Sequence, residues 1–343
     1  RGEKMIKVGV VGATGYTGEE LIKILVKHLH VKLTYLAAKI DKEEPIDKIF
    51  PHFKNRLDLK CEILDIEKAI SKADLFLLAL PHTVSVKIAP LFLNHKKKVI
   101  DLSADYRFQD TGVYEKWYKV KHGDKENLKK AVYGLPELYR EKIKKADFVA
   151  NPGCYPTAAI LAVVPSLVSG IINTDSIIID AKSGVTGAGR KASMDFFYSE
   201  INEGVKAYKI DTHQHMPEIN QLLSSAADKK IDVTFCPHLI PMNRGILETI
   251  YMKLNKKINY DKVLEIYKKF FKTEPFVRIV ENDAYSTKSV VGTNFCDIGL
   301  KVNEDKGLLV AVSAIDNLLK GASGQAVQNM NIMCGFPEES GLL

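Results

Sequence analysis

Ile6-Lys7-Val8-Gly9-Val10-Val11-Gly12-Ala13-Thr14-Gly15-Tyr16-Thr17-Gly18 is a β-type run that breaks at a glycine and leads into an amphipathic stretch, Glu19 to Leu29. A second β-type run follows at Val31 to Ala38, so the opening residues spell strand, helix, strand. Gly12, Gly15 and Gly18 stand at the crossover as G-x-x-G-x-x-G, which displaces the second glycine relative to G-x-G-x-x-G. A glycine turn that leaves a strand and opens a helix within about 30 residues is the setting of a dinucleotide pyrophosphate, because backbone N–H groups at a helix start attract an anion. The plain alternative is a structural turn. Further β-type runs at Ala73 to Leu80 and Lys98 to Leu102 continue the alternation and predict a parallel, Rossmann-type sheet. The second strand ends Leu36-Ala37-Ala38-Lys39, with no acid for the ribose hydroxyls; Asp41 falls past its end. A lysine there suits the extra phosphate of NADP, the alternative being a surface lysine.

The 343 residues, 46% hydrophobic and 27% charged, suffice for a large core and predict two domains. No stretch approaches the roughly 20 apolar residues of a membrane span, and no charged-then-apolar leader opens the chain. Arg1–Lys4, ahead of Met5, read as a cloning leftover. The formal charge of +7 comes from 49 basic and 42 acidic residues, the basic ones mostly lysines scattered among acids without interleaved aromatics. That is a solvated surface and argues against a nucleic-acid partner. Five cysteines (61, 154, 236, 296 and 334), odd in number and without C-x-x-C, indicate neither a disulfide framework nor a zinc site, and predict a cytoplasmic protein. Three of only seven arginines, Arg107, Arg190 and Arg244, fall in loop-like segments where a planar bidentate donor is useful.

At Asp147-Phe148-Val149-Ala150 an apolar run ends in Asn151-Pro152-Gly153-Cys154-Tyr155-Pro156-Thr157, and an apolar helix continues to Val168. A thiol at a helix start ionises below its usual pKa of about 8.5, so Cys154 is either a nucleophile or a small buried hydrophobe. Beyond it β-type runs dominate, at Ser176–Ala181, Asp232–Leu239, Ile246–Leu254, Val291–Lys301 and Gly307–Ser313, predicting an α+β domain with a mostly antiparallel sheet. Between them Lys182-Ser183-Gly184-Val185-Thr186-Gly187-Ala188-Gly189-Arg190 suits an anion contact or a long hairpin. His213-Gln214-His215-Met216-Pro217-Glu218 offers two imidazoles and a carboxylate that can orient one of them. Without a third ligand at metal spacing, the pair reads as acid/base or structural histidines, and no metal is expected. His28, His30, His52, His95 and His122 read as surface residues.

Together with Asp101-Leu102-Ser103-Ala104-Asp105-Tyr106-Arg107-Phe108, Tyr133-Gly134-Leu135-Pro136-Glu137-Leu138, the segment Pro237 to Gly245 and the segment Ala314 to Asn331, these motifs resemble the N-acetyl-γ-glutamyl-phosphate reductases of the aspartate-semialdehyde dehydrogenase superfamily. The likeness runs in order from about Ile6 to Glu338. It implies an NADPH-dependent oxidoreductase of arginine biosynthesis that reductively dephosphorylates an acyl phosphate, with small-molecule partners and a homodimer or homotetramer. It implies Cys154 as nucleophile, His215 as acid/base with Glu218 beside it, Arg107 on the phosphate, Arg244 on the substrate carboxylate, and His213 also at the substrate. Cofactor contacts are implied at Gly12, Thr14, Gly15, Tyr16, Thr17, Gly18, Lys39, Ser183, Gly184 and, near the nicotinamide, Asn317. It further implies a discontinuous cofactor domain, residues 1–153 and 316–343, with a catalytic and dimerisation domain at 154–315. Gln214 departs from the arginine many members carry there. Two rivals stand beside this reading. One is a similar reductase acting on an aminoadipyl phosphate held by an acidic carrier protein in lysine biosynthesis. The other is a non-catalytic NADP-binding sensor, which has no need of Cys154, His215 and Glu218 together.

Overall fold

The computed structural model describes residues 5–190, 193–281 and 285–343; Arg1–Lys4 and Lys191, at the end of the glycine-rich segment, lie outside them. The chain divides into two compact units, residues 1–152 with 322–343, and residues 153–321.

In the first unit the described residues form eight strands: β1 (Ile6–Val11), β2 (Val31–Ala37), β3 (Glu44–Pro45), β4 (Lys60–Glu62), β5 (Leu75–Leu78), β6 (Lys98–Asp101), β7 (Val132–Tyr133) and β8 (Phe148–Ala150). Their order is β3-β4-β2-β1-β5-β6-β8-β7, and only the β3–β4 pair is antiparallel. Parallel strands are covered on both faces, which is why β5 reads Leu-Phe-Leu-Leu and is buried throughout. The order reverses across β1, with β2 on one side and β5 on the other, and the glycine turn leaves β1 at that switch point. The first helix runs Tyr16–Leu25, starting earlier and ending sooner than its apolar pattern suggests. Beyond Leu25 the hydrogen bonds tighten into turns, Lys27 N to Ile24 O and His28 N to Leu25 O. His28 is buried rather than at the surface, its Nε2 lying 2.9 Å from Asn331 Oδ1, while His30 stacks on Phe336. His122 is buried as well, its Nε2 lying 2.7 Å from the Asp105 carbonyl oxygen. Neither partner is close enough in sequence for local patterning to reveal it. The C-terminal helix Gly324–Cys334, buried from Gly324 to Met333, completes this unit.

The second unit has β9 (Ile172–Ser183), β10 (Lys206–Ala207), β11 (Thr234–Leu239), β12 (Ile246–Leu254), β13 (Val277–Val280), β14 (Cys296–Asn303) and β15 (Leu308–Ile315). Their order is β10-β11-β9-β12-β15-β14-β13; β11–β9 and β13–β14 are parallel, and the other pairs are antiparallel. The helix Cys154–Val168 packs on this sheet and is buried along nearly its whole length, as expected of a helix apolar all round. The glycine-rich segment is no hairpin. β9 extends to Ser183 and gives way to a 3-10 turn at Val185–Ala188 that hydrogen-bonds the main chain at Met242 and Asn243.

Glu248 breaks the apolar face of β12. It sits opposite Ala181 and Ser313, fully buried, with no hydrogen-bond partner at either carboxylate oxygen. Burial raises its carboxyl well above the ordinary range, against a smaller pull downward from Lys182. A raised folded-state pKa means that above about pH 4.3 the unfolded chain ionises while the folded chain keeps its proton, so this residue's contribution to stability falls as pH rises until the folded pKa is passed. Glu248→Gln is therefore expected to gain melting temperature over wild type by at least ~2 °C more at pH 8 than at pH 5. Thermal unfolding across that range tests it, and a pH-independent difference refutes it.

Candidate active site

Cys154 opens its helix as anticipated, with Gly153 as N-cap at φ −70° and ψ 156°. The approach to it is held from two sides. Gly153 N donates to Glu218 Oε1 at 2.9 Å, and Thr157 returns its N–H and hydroxyl to the Gly153 carbonyl at 3.0 and 2.9 Å. Glu218 is itself fully buried, in the first turn of the helix Met216–Ala227. A carboxylate accepting a backbone N–H in a dry setting makes a strong, directional bond, so Glu218 fixes the loop that carries Cys154. Cys154 is half-buried, whereas Cys61 and Cys296 are buried, and burial pushes the Cys61 thiol up to about 11.

His215 is the N-cap residue of the Met216–Ala227 helix, and its N–H donates to His213 Nδ1 at 3.1 Å. In that contact Nδ1 of His213 is the acceptor. The two rings lie 4.9 Å apart, and the Tyr155 ring is 5.5 Å from His213 and 5.8 Å from His215. The Tyr155 and Tyr208 hydroxyls meet at 3.1 Å. Burial raises both phenols, that of Tyr208 to about 12, so each remains a proton donor through the neutral range. Gln214 accepts from Lys209 Nζ at 3.1 Å. Cys154, Tyr155, Tyr208, His213, His215 and Glu218 all belong to the second unit.

A third group lies at the end of β15. Arg244 pairs with the buried Asp316, Nη2 to Oδ2 at 3.0 Å, and Asn317 spans from Gly245 N (2.8 Å) to Thr186 Oγ1 (3.0 Å). Ser183 is buried and donates to its neighbour's carbonyl, Gly184 O, at 2.9 Å. Sequence reasoning passed over Tyr155, Tyr208 and Asp316. Tyr155 falls in the run Asn151 to Thr157 and Asp316 in the segment Ala314 to Asn331, and a tyrosine next to Cys154 was the one available signal.

In the first unit Arg107 is 5% exposed; its Nε donates to Asn151 O at 2.7 Å and its Nη2 to Leu102 O at 2.8 Å. It thereby anchors the main chain ahead of Gly153. At the end of β6, Asp101 is pushed up to about 6 by burial and then by the Asp105 carboxylate. Thr14, Tyr16 and Thr17 are half-buried around the glycine turn, and Lys39 is exposed at the end of β2. Gly12 and Gly15 differ in what they demand. Gly12 has φ +92°, and a Cβ there would lie 2.1 Å from Ala79 O; at Gly15 the nearest atom would be Gly12 O at an ordinary 3.6 Å. Protein packing thus requires glycine at 12 but not at 15, where the bare backbone at a helix start fits close approach of a phosphate. Gly12→Ala is expected to cost at least ~2 kcal/mol of stability. Gly15→Ala should keep its melting temperature while weakening NADPH about tenfold or more in a fluorescence titration. Unchanged binding in Gly15→Ala would refute the assignment.

Among the described residues no group of three or more His, Cys, Asp or Glu is placed to hold a metal ion, and no helix is long and apolar enough to cross a membrane. Two family models match: "Semialdehyde dehydrogenase, NAD binding domain" over residues 7–146 and "Semialdehyde dehydrogenase, dimerisation domain" over residues 154–317. Among solved structures the chain is similar to an aspartate semialdehyde dehydrogenase II from Vibrio cholerae, with TM-score 0.73, 16% identity, and coverage of 97% of this chain and 99% of that one. It is similar as well to an aspartate semialdehyde dehydrogenase with NADP from Candida albicans, with TM-score 0.72, 15% identity, and coverage of 96% and 99%. These show a shared fold. Curated proteins named N-acetyl-gamma-glutamyl-phosphate reductase are much nearer in sequence. The one from Desulfotalea psychrophila is 49% identical, that from Geobacter metallireducens 50% and that from Acetivibrio thermocellus 46%, each covering 98% of both chains. Such identity over almost the full length of both partners is decisive, and the chain belongs to the N-acetyl-gamma-glutamyl-phosphate reductase family.

Proposed function

We propose that this chain reduces N-acetyl-γ-glutamyl phosphate to N-acetylglutamate semialdehyde with NADPH, a step of arginine biosynthesis, through a thioester on Cys154. The observation that carries the mechanism is a half-buried thiol at the start of a buried helix, its loop held by Glu218 and two histidines packed on the adjacent tyrosine. The Cys154 thiolate attacks the γ-carbonyl, and backbone N–H groups of the helix start hold the oxyanion. The C–O bond to phosphate then breaks, leaving a thioester on Sγ and phosphate at Arg107. Bound NADPH supplies the hydride that brings this carbon to the aldehyde level. As the resulting oxyanion re-forms the carbonyl, the C–S bond breaks and His215 gives its proton to the departing sulfur; the Cys154 thiol returns that proton to His215 to become a thiolate for the next turnover. Arg244 holds the α-carboxylate, and His213 and Tyr208 line the substrate.

The glycine turn at residues 12–18 fits the cofactor by the same test that separates Gly15 from Gly12. Lys39, exposed at the end of β2, is assigned to the 2′-phosphate, and Ser183, Gly184 and Asn317 to the nicotinamide side. Residues 1–153 with 316–343 serve as the cofactor domain and residues 154–315 as the catalytic and dimerisation domain. The working form is a homodimer or homotetramer. One face of the second sheet carries the paired Ile178 and Tyr251, 41% and 37% exposed, which a second copy would cover. Sedimentation at assay concentration checks this. Five unbridged cysteines suit a cytoplasmic location.

The deciding experiment runs the reaction backwards, with N-acetylglutamate semialdehyde, phosphate and NADP, reading NADPH formation. Strict dependence on phosphate supports the proposal. Turnover without phosphate would mean an ordinary aldehyde dehydrogenase, and no turnover would return the chain to a binding role.

A further inference from the structure

Asp316 is fully buried at the end of β15, yet its carboxylate is surrounded by donors. Oδ1 accepts from Leu318 N at 2.8 Å, Leu319 N at 3.2 Å and Arg244 Nε at 3.3 Å. Oδ2 accepts from Gly292 N at 2.8 Å and faces Arg244 Nη2 at 3.0 Å. The main-chain oxygen of Asp316 accepts from Gly321 N at 2.9 Å. Gly321 in turn backs onto the nucleophile: a Cβ built there would lie 2.8 Å from the Cys154 Cβ. One residue therefore ties together the arginine and the 292 turn through its side chain, and the turn behind the thiol through its main-chain oxygen.

A buried carboxylate is costly unless it is paired and hydrogen-bonded, and three backbone N–H groups would satisfy it without any cation. The added guanidinium is what calls for explanation. Arg244 is 23% exposed, and an arginine side chain carries rotamer entropy that a ligand must otherwise overcome. A two-point grip on its Nε side fixes the plane of the fork before any ligand arrives.

We infer that Asp316 is a positioning residue that holds Arg244 ready for the substrate's α-carboxylate, and so sets the enzyme's preference for a free carboxylate over a neutral group at that end. This rests on the proposed role of Arg244. Asp316→Asn keeps the size and part of the backbone bonding but loses the charge that grips the guanidinium. Turnover is compared for N-acetylglutamate semialdehyde and its α-methyl ester. Wild type should favour the free acid, and Asp316→Asn should shrink that preference at least tenfold, mainly through KM for the acid. On an Arg244→Gln background the same change should cost less than threefold. A purely structural role would lower both substrates alike and leave the preference intact, which overturns the inference. A second readout needs no turnover: N-acetylglutamate should protect Cys154 from iodoacetamide in wild type, and at least tenfold more of it should be needed in Asp316→Asn. Equal protection in both proteins overturns the inference even if the proposed reaction fails.

Discussion

Cys154→Ser is expected to leave a folded protein that binds NADPH normally and turns over at least about a thousandfold more slowly, a loss of ~4 kcal/mol in barrier terms. Folding should survive because the bonds that shape the loop, Gly153 N to Glu218 and Thr157 to Gly153 O, do not pass through the sulfur. Turnover should not, for two reasons. A serine hydroxyl at a helix start stays protonated where a thiol ionises, and an oxygen ester resists hydride more than a thioester does. Phosphate-dependent NADPH formation measures the loss, circular dichroism the fold, and mass spectrometry the acyl adduct expected in wild type alone. If the variant kept more than a tenth of the activity, a deficit under ~1.4 kcal/mol, covalent catalysis would be wrong.

The second large effect is expected at His215. His215→Asn should slow turnover by about a hundredfold or more and flatten the pH dependence of kcat/KM, because the group proposed to exchange a proton with sulfur is gone. His213 offers the natural control. Its Nδ1 accepts the His215 N–H, and its ring sits among Tyr155, Tyr208 and Phe235, so it shapes the site. His213→Asn should therefore cost about tenfold while keeping the wild-type pH profile. A reversed pattern, flat for His213→Asn and unchanged for His215→Asn, would exchange the two roles.

The first unit was open to sequence reading because parallel strands advertise themselves as unbroken apolar runs and the glycine turn marks where the first one ends. The helix at Cys154 was equally plain. The two-residue strands β3, β7 and β10 were not, since two residues carry no periodicity and are held only by their neighbours. Glu248 shows the same limit at one position: nothing in Ile246-Leu247-Glu248-Thr249-Ile250 says that the acid faces the core, which register with β9 and β15 decides. His28, His122 and the pairing of Arg244 with Asp316 were hidden for a different reason. Each depends on a contact made by the fold rather than by the local chain, and the arginine and its carboxylate stand 72 residues apart. The site was thus legible as a set of residue types, while which residue holds which in place was not.

The helix Gly324–Cys334 lies in the first unit although the whole second unit precedes it in the chain. Asn329 reaches Gly134 O at 2.8 Å and Asn151 Oδ1 at 3.0 Å, and Arg140 grips Glu338. On a ribosome the first 150 residues emerge early but cannot close their core until these last ones follow, whereas residues 153–321 have all their own parts in hand. A released chain that ends before Gly324 should therefore hold a folded second unit tethered to a nucleotide-binding half still exposed to chaperones.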